Sequence, residues 1–295
     1  MRNLLDRLSA GEILFIDGAM GTELQRRGLA PGECPELWCL ERPEEVRSIH
    51  RAYRRAGSDM AETNSFGGTR YKLAHWGLEG RVFELNEAAA RRAREVAGDT
   101  QYVLGSIGPT GVFLDPLGEE TEEAMRAAFA EQVRGLASGG ADAVIVETMS
   151  ALEEAALAVR AAKEITDLVV IASFSFDPQA GGGYATMMGV RPEQAAEAML
   201  AAGADVVGAN CGLGMEHMVE VVRAFRQAEP WAFLLAMPNA GLPVIKGDQT
   251  VFPSTPGEMA AQVLALIDAG ANLVGGCCGT TPEHIRVMKE AGKNR

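Results

Sequence analysis

The feature that most constrains this chain is a repeated beat. A short apolar, β-branched run gives way to a glycine or polar cluster, then to a stretch with helical periodicity, and the unit recurs. Eight runs read as strands: ILFIDG (13–18), DMAETNSF (59–66), YVLGSIG (102–108), ADAVIVETM (141–149), LVVIASFSF (168–176), ADVVGANCG (204–212), FLLAMPNAG (233–241) and ANLVGGCCG (271–279). Between them lie helix candidates such as PEEVRSIHRAYRRAG, TEEAMRAAFAEQVRGLASGG, ALEEAALAVRAAKEI, RPEQAAEAMLAAG and TPGEMAAQVLALIDAG. Several begin at Thr or Pro followed by Glu and several stop at Gly, as helix ends prefer. Ala-Gly-Ala-Asp at 202–205 and Ala-Gly-Ala-Asn at 269–272 mark the recurring join from helix to strand.

Near-continuous apolar strands alternating with helices imply a parallel sheet covered by helices, and eight such units close into a (β/α)8 TIM barrel. The length of 295 residues suits one α/β barrel domain spanning 1–295. A doubly wound dinucleotide fold is the rival. Its first turn would need Gly-x-Gly-x-x-Gly, and Gly18-Ala19-Met20-Gly21 lacks that spacing.

Apolar residues at 47% and charged residues at 23% describe an ordinary globular protein with a large core. A net charge of −13 disfavours nucleic acid and anionic membrane surfaces as partners. The opening segment carries Asp6, Arg7 and Glu12 where a signal peptide needs an apolar core, and nowhere do 18 apolar residues run together. A cytoplasmic chain is the expectation. Its five cysteines, an odd number in a large chain, read as thiols or metal ligands and not as a secreted disulfide framework.

Barrel enzymes keep their chemistry at the C-terminal ends of the strands. Polar residues gather there: Asp17, Glu62 and Asn64, Ser106, Glu147, Asn210 and Cys211, Asn239, and Cys277 and Cys278 end or close seven of the eight runs. Any one of them has a plain reading as a cap for the next helix. Together they outline a site.

Cysteine in a strand is most often a small buried hydrophobe. Cys277 and Cys278 are adjacent, so in a regular strand only one could face the barrel axis, but Gly275, Gly276 and Gly279 give the backbone freedom to turn both thiols to one point. Only one strand separates them from Cys211. Three thiols converging at an open rim suit a catalytic zinc with its fourth position free for substrate; buried core thiols or a redox pair remain the alternatives. Cys34 and Cys39, in Cys-Pro-Glu-Leu-Trp-Cys, lack a further pair for a second zinc and read as packing. Gly181 to Gly183 with Met187 and Met188 read as a loop over the rim, and NLLDRL as a short helix plugging the barrel floor.

IDGAMGTELQRRG, ETNSFGG, GSIGPTG, VETM, ANCGLG, PNAGLP and GGCCGTTPEHI, taken in order, resemble the homocysteine-binding module of the zinc-dependent homocysteine S-methyltransferases, most of all the module found in cobalamin-dependent methionine synthase. The resemblance implies zinc held by Cys211, Cys277 and Cys278, with Asn239 a candidate fourth ligand when no thiol is bound. It also implies that Asp17, Gly18 and Glu147 hold the amino acid end of homocysteine, with Asn64 beside them. Members of this family use methylcobalamin, betaine or S-methylmethionine on the same module. The PNAGLP segment favours a methyl-corrinoid carried by another domain or protein, and the chain is expected to be either an excised module or a free-standing enzyme.

Homocysteine's thiol is mostly protonated at pH 7, and only the thiolate is a good nucleophile. Zinc removes that proton, and three protein thiolates around a dication leave the site at a net single negative charge, so the substrate sulfur stays nucleophilic. Two rival classes are weaker. A phosphosugar lyase could cradle phosphate at Thr280-Thr281-Pro282-Glu283, but cysteines are the wrong residues for it and no strand carries a Schiff-base lysine. A non-catalytic zinc-binding barrel would call for closed four-ligand coordination.

Overall fold

The computed structural model of the chain describes residues 2–247 and 249–293. Eight strands form one parallel sheet: β1 Leu14–Phe15, β2 Met60–Glu62, β3 Tyr102–Ile107, β4 Ala143–Met149, β5 Val169–Phe174, β6 Val206–Asn210, β7 Phe233–Met237 and β8 Leu273–Val274. They pair in the order β1, β8, β7, β6, β5, β4, β3, β2. Between β1 and β2 there is no strand ladder. Two aspartates close the ring instead: Asp59 donates its N–H to Phe15 O at 2.6 Å while its carboxylate accepts from Phe15 N at 2.9 Å, and the Asp17 carboxylate accepts from Glu62 N at 3.1 and 3.2 Å.

Each strand is followed by a helix on the outside: α1 Pro43–Ala56, α2 Val82–Ala97, α3 Glu122–Ser138, α4 Leu152–Ile165, α5 Pro192–Ala202, α6 Met215–Ala228, α7 Pro256–Ala269 and α8 Pro282–Gly292. Local chemistry sets their ends. Thr121, Thr255 and Thr281 cap α3, α7 and α8 through their side chains, proline starts α1, α5, α7 and α8, and Gly57, Gly203 and Gly270 close α1, α5 and α7 with left-handed backbone. The strands are shorter than the apolar runs that announced them. ANLVGGCCG contributes only Leu273 and Val274, because the glycines after them turn the chain out of the sheet. Two antiparallel hairpins, 177–178 with 184–185 and 244–246 with 249–251, extend the loops after β5 and β7.

Alternation along the strands sorts the core into two layers. Inward residues Leu14, Met60, Leu104, Ile145, Ile171, Val206, Leu235 and Leu273 fill the barrel. Outward residues such as Val103, Val144, Val170 and Val207 pack under the helices. Leu4 and Leu8 of a short helix, Leu4–Ser9, join the inner cluster and close the floor, as the NLLDRL segment leads one to expect. No helix among the described residues is long and apolar enough to cross a membrane.

Candidate active site

The same two-residue period that builds the inner core makes its top layer polar. Counting inward positions from Leu104, Ile145, Ile171 and Gly208 reaches Ser106, Glu147, Ser173 and Asn210, and these four side chains bond to one another. Ser106 Oγ donates to Glu147 Oε1, and Asn210 Nδ2 donates to Glu147 Oε2 at 3.0 Å. Asn210 Oδ1 accepts from Ser173 Oγ at 2.7 Å and from Thr148 N at 2.8 Å. Asn210 is fully buried, so its amide replaces water for all of these groups.

Just beyond this layer the backbone departs from the strand. Thr148 (φ 58°) and Cys211 (φ 62°) are the non-glycine residues with left-handed backbone among those described, and each immediately follows a member of the polar layer. Such strain at the ends of β4 and β6, which flank β5, is held in place by the surrounding structure. Strand alternation after Asn210 would send Cys211 outward; the left-handed bend, continued at Gly212, reverses the chain there. Cys277 and Cys278 lie in the turn after β8. Residues 237–240 tie both cysteine loops together: Cys211 N donates to Met237 O at 3.1 Å, Cys277 N to Pro238 O at 2.9 Å, and Ala240 N to Cys278 O at 2.9 Å.

The three sulfurs lie within 4.8 Å of one another, and Cys211 Sγ is 3.8 Å from Cys278 Sγ. That separation equals the edge of a tetrahedron with bonds of about 2.3 Å, the length zinc prefers to thiolate. Cys277 and Cys278 hydrogen-bond the Cys211 sulfur and bring its pKa down to about 3, so the trio holds one negative charge readily; the same anion pushes the Cys278 pKa up to about 12. The Asn239 side chain also bonds the Cys211 sulfur, while its Oδ1 is buried with no partner. The donor set therefore fits a thiophilic dication with one adjustable oxygen ligand. Among the described residues this is the one cluster of three or more such side chains with that geometry. Cys34 and Cys39 are buried elsewhere, donating to Glu36 Oε2 and to Asn64 O.

A cavity of about 430 Å³ opens over this cluster. Gly18, Glu62, Asn64, Glu147, Cys211, Cys277 and Cys278 line it, and Lys72 is the one cation in its wall. The position of a Gly18 Cβ is taken by Thr280 Oγ1 at 2.6 Å and by the Tyr53 ring, so no side chain fits there. Burial pushes the Glu147 carboxyl up to about 7 in spite of its hydrogen bonds, and it holds Asp17 and Glu62 well above the usual carboxylate range, each reinforced by the charge of Glu147.

The structure thus brings Gly18, Glu147, Asn239 and the three cysteines to one place. Asp17 is set behind the cavity, on the backbone of Glu62. The amide nitrogen of Asn64 is engaged by Pro35 O at 2.7 Å and Cys39 Sγ at 3.5 Å, so Asn64 braces the cavity wall. Ser173 and Thr148 are members that strand-end reasoning passed over. Two-residue counting from Ile171 is the signal that finds Ser173; nothing in the sequence announces the left-handed backbone of Thr148.

A profile described as Homocysteine S-methyltransferase matches residues 14–292. The chain is 34% identical to the methionine synthase of Mycobacterium tuberculosis over 310 residues and 34% identical to that of Mycobacterium leprae over 305, matches that cover 99% and 98% of this chain. It spans about a quarter of the length of these curated relatives. The metallated form of the homocysteine methyltransferase MmuM from Escherichia coli superposes with a TM-score of 0.80 at 26% identity, covering 98% of this chain and 99% of that one.

Proposed function

Because the chain belongs to the homocysteine S-methyltransferase family, we propose that it methylates homocysteine to methionine on a zinc site built from Cys211, Cys277 and Cys278, with residues 1–295 acting as one homocysteine-binding barrel. The observation that carries this reading is the convergence of three sulfurs and buried carboxylates on one cavity. Zinc bound there supplies the Lewis acidity that keeps a substrate sulfur as thiolate near neutral pH. Asn239, whose buried Oδ1 has no partner, would complete the set of residues holding the metal when no thiol is bound.

The chain's own residues do the positioning. Ser106 and Asn210 fix Glu147 from both sides, and Glu147 faces the cavity with negative charge for the substrate ammonium, Asp17 adding its charge from behind the wall, while Gly18, without a side chain, lines the cavity beside the amino acid end. Fixing both ends of a short substrate presents its sulfur to the methyl group along one direction, the proximity part of the catalysis.

For the donor we favour a methyl-corrinoid carried by another domain or protein. Two observations support it: the 34% identity to methionine synthases and the PNAGLP segment. A reducing cytoplasm suits a site that depends on three free thiols. Side-by-side assay of methylcobalamin, betaine and S-methylmethionine with zinc and homocysteine tests the donor. Slow demethylation of free methylcobalamin, with betaine ignored, is expected. Rapid turnover of betaine with none of methylcobalamin would replace the donor and keep the thiol chemistry.

A further inference from the structure

Glu62 stands out among the buried acids because nothing satisfies it. It ends β2 at an inward position and lines the cavity, and its Oε1 is buried without a hydrogen-bond donor. Asp17 differs, since both of its oxygens accept from the Glu62 backbone, and Glu147 is gripped by Ser106 and Asn210. A buried, unpartnered carboxylate oxygen is costly, so where one persists at the wall of a cavity its partner arrives with the ligand. The surroundings specify that partner's charge. Asp17 and Glu147 are both close enough to raise the cost of ionising Glu62, and the one cationic side chain in the cavity wall, Lys72, makes no ion pair with it. The group that completes this corner is therefore a cation with several donors, small enough to share the cavity with a sulfur at the cysteines.

We propose that Glu62 is a substrate-binding residue that receives the ammonium of homocysteine, making the site selective for amino thiols, with Asp17 acting behind it as a positioning residue through the Glu62 backbone N–H. This rests on the homocysteine reading above. It moves the principal contact from Asp17, which the cavity does not expose, to the carboxylate next to it. Glu147 faces the same cavity and shares the ammonium, whose three N–H groups can serve two carboxylates and a further acceptor.

The test compares two thiols that differ only in the amino group, homocysteine and 4-mercaptobutyrate, by calorimetric titration of the zinc-loaded chain. Wild-type protein is expected to prefer homocysteine, and Glu62→Gln is expected to lower homocysteine affinity by about ten- to a hundredfold, the range of a charge-assisted hydrogen bond, while 4-mercaptobutyrate affinity stays the same. Glu62→Asp, which keeps the charge and shortens its reach, should fall between. Zinc content and the circular dichroism spectrum report whether each variant retains the fold. Equal loss of both thiols, or no loss of homocysteine, overturns the assignment. If the wild type binds neither thiol, the homocysteine reading itself fails and takes this inference with it; if it prefers homocysteine and Glu62→Gln prefers it equally, only the role of Glu62 falls.

Discussion

Asn210 Nδ2 lies 3.0 Å from Glu147 Oε2, and through this bond the strand that leads into Cys211 also aims a carboxylate that lines the cavity. Asn210 precedes Cys211 in sequence, so the sulfur corner and the acid corner are set by neighbouring residues of one strand end. Replacing Asn210 by Ala leaves Thr148 N–H and Ser173 Oγ without their acceptor in a buried layer. Stability should fall by about 2–4 kcal/mol, and homocysteine affinity should fall with it. Urea denaturation with calorimetry checks both; a variant as stable as the wild type would mean that water takes over the amide's role.

Replacing any one of Cys211, Cys277 and Cys278 by Ala should abolish tight zinc binding and methyl transfer while the barrel stays folded, since the ligands sit above the apolar layers. Metal analysis of the purified variants is the measurement, and full zinc occupancy in Cys278→Ala would contradict the assignment. In the wild type, adding homocysteine should add one sulfur to the zinc-edge absorption signal. An unchanged signal would favour a closed structural site.

Asp17→Asn and Glu147→Gln should each weaken homocysteine binding by about 1.5 to 3 kcal/mol, with zinc content unchanged. Glu147 acts by direct contact and Asp17 by holding the end of β2. Unaltered affinity in both variants would reduce the two carboxylates to braces of the fold.

His50, on α1, carries a pH signature unrelated to catalysis. It is fully buried, neither ring nitrogen has a partner, and burial pulls its pKa down to about 4. A base whose folded-state value is depressed takes up its proton first in the unfolded chain, so its contribution to stability is present above about pH 6.5 and is lost as pH falls toward 4. The loss amounts to about 3 kcal/mol. The buried acids with raised values shift stability the opposite way, so the clean measurement is a difference: wild type against His50→Leu, from pH 7.5 to 4.5. The gap should widen in favour of the variant as pH falls, and a constant gap would show that His50 finds a partner.

The barrel was legible because alternating strand and helix signals are local, and eight repetitions leave few topologies. The cysteines were legible because their types and positions are rare together. Asp17 was the harder case. Its place at the end of the first apolar run marks it as a strand-end acid, but whether it faces the cavity or the neighbouring strand depends on how the ring closes between β1 and β2, a contact between residues 45 positions apart. Ser173 and Thr148 were missed for a related reason. Their roles come from Asn210, which belongs to another strand: counting by two along β5 puts Ser173 on the inward face, but neither its pairing with Asn210 nor the left-handed backbone of Thr148 carries a signature in a single sequence.

Residues 237–240 stitch the Cys211 loop to the Cys277–Cys278 turn by backbone hydrogen bonds, so the fold itself sets how the three cysteines face one another. In a zinc finger the metal organises its own ligands and its removal unravels the chain. Here backbone hydrogen bonds hold the three cysteines together, so on the zinc reading proposed above chelation should leave an inactive but folded protein that regains metal without refolding. Supply of zinc, and not synthesis of new chains, can then set how much of the population is active.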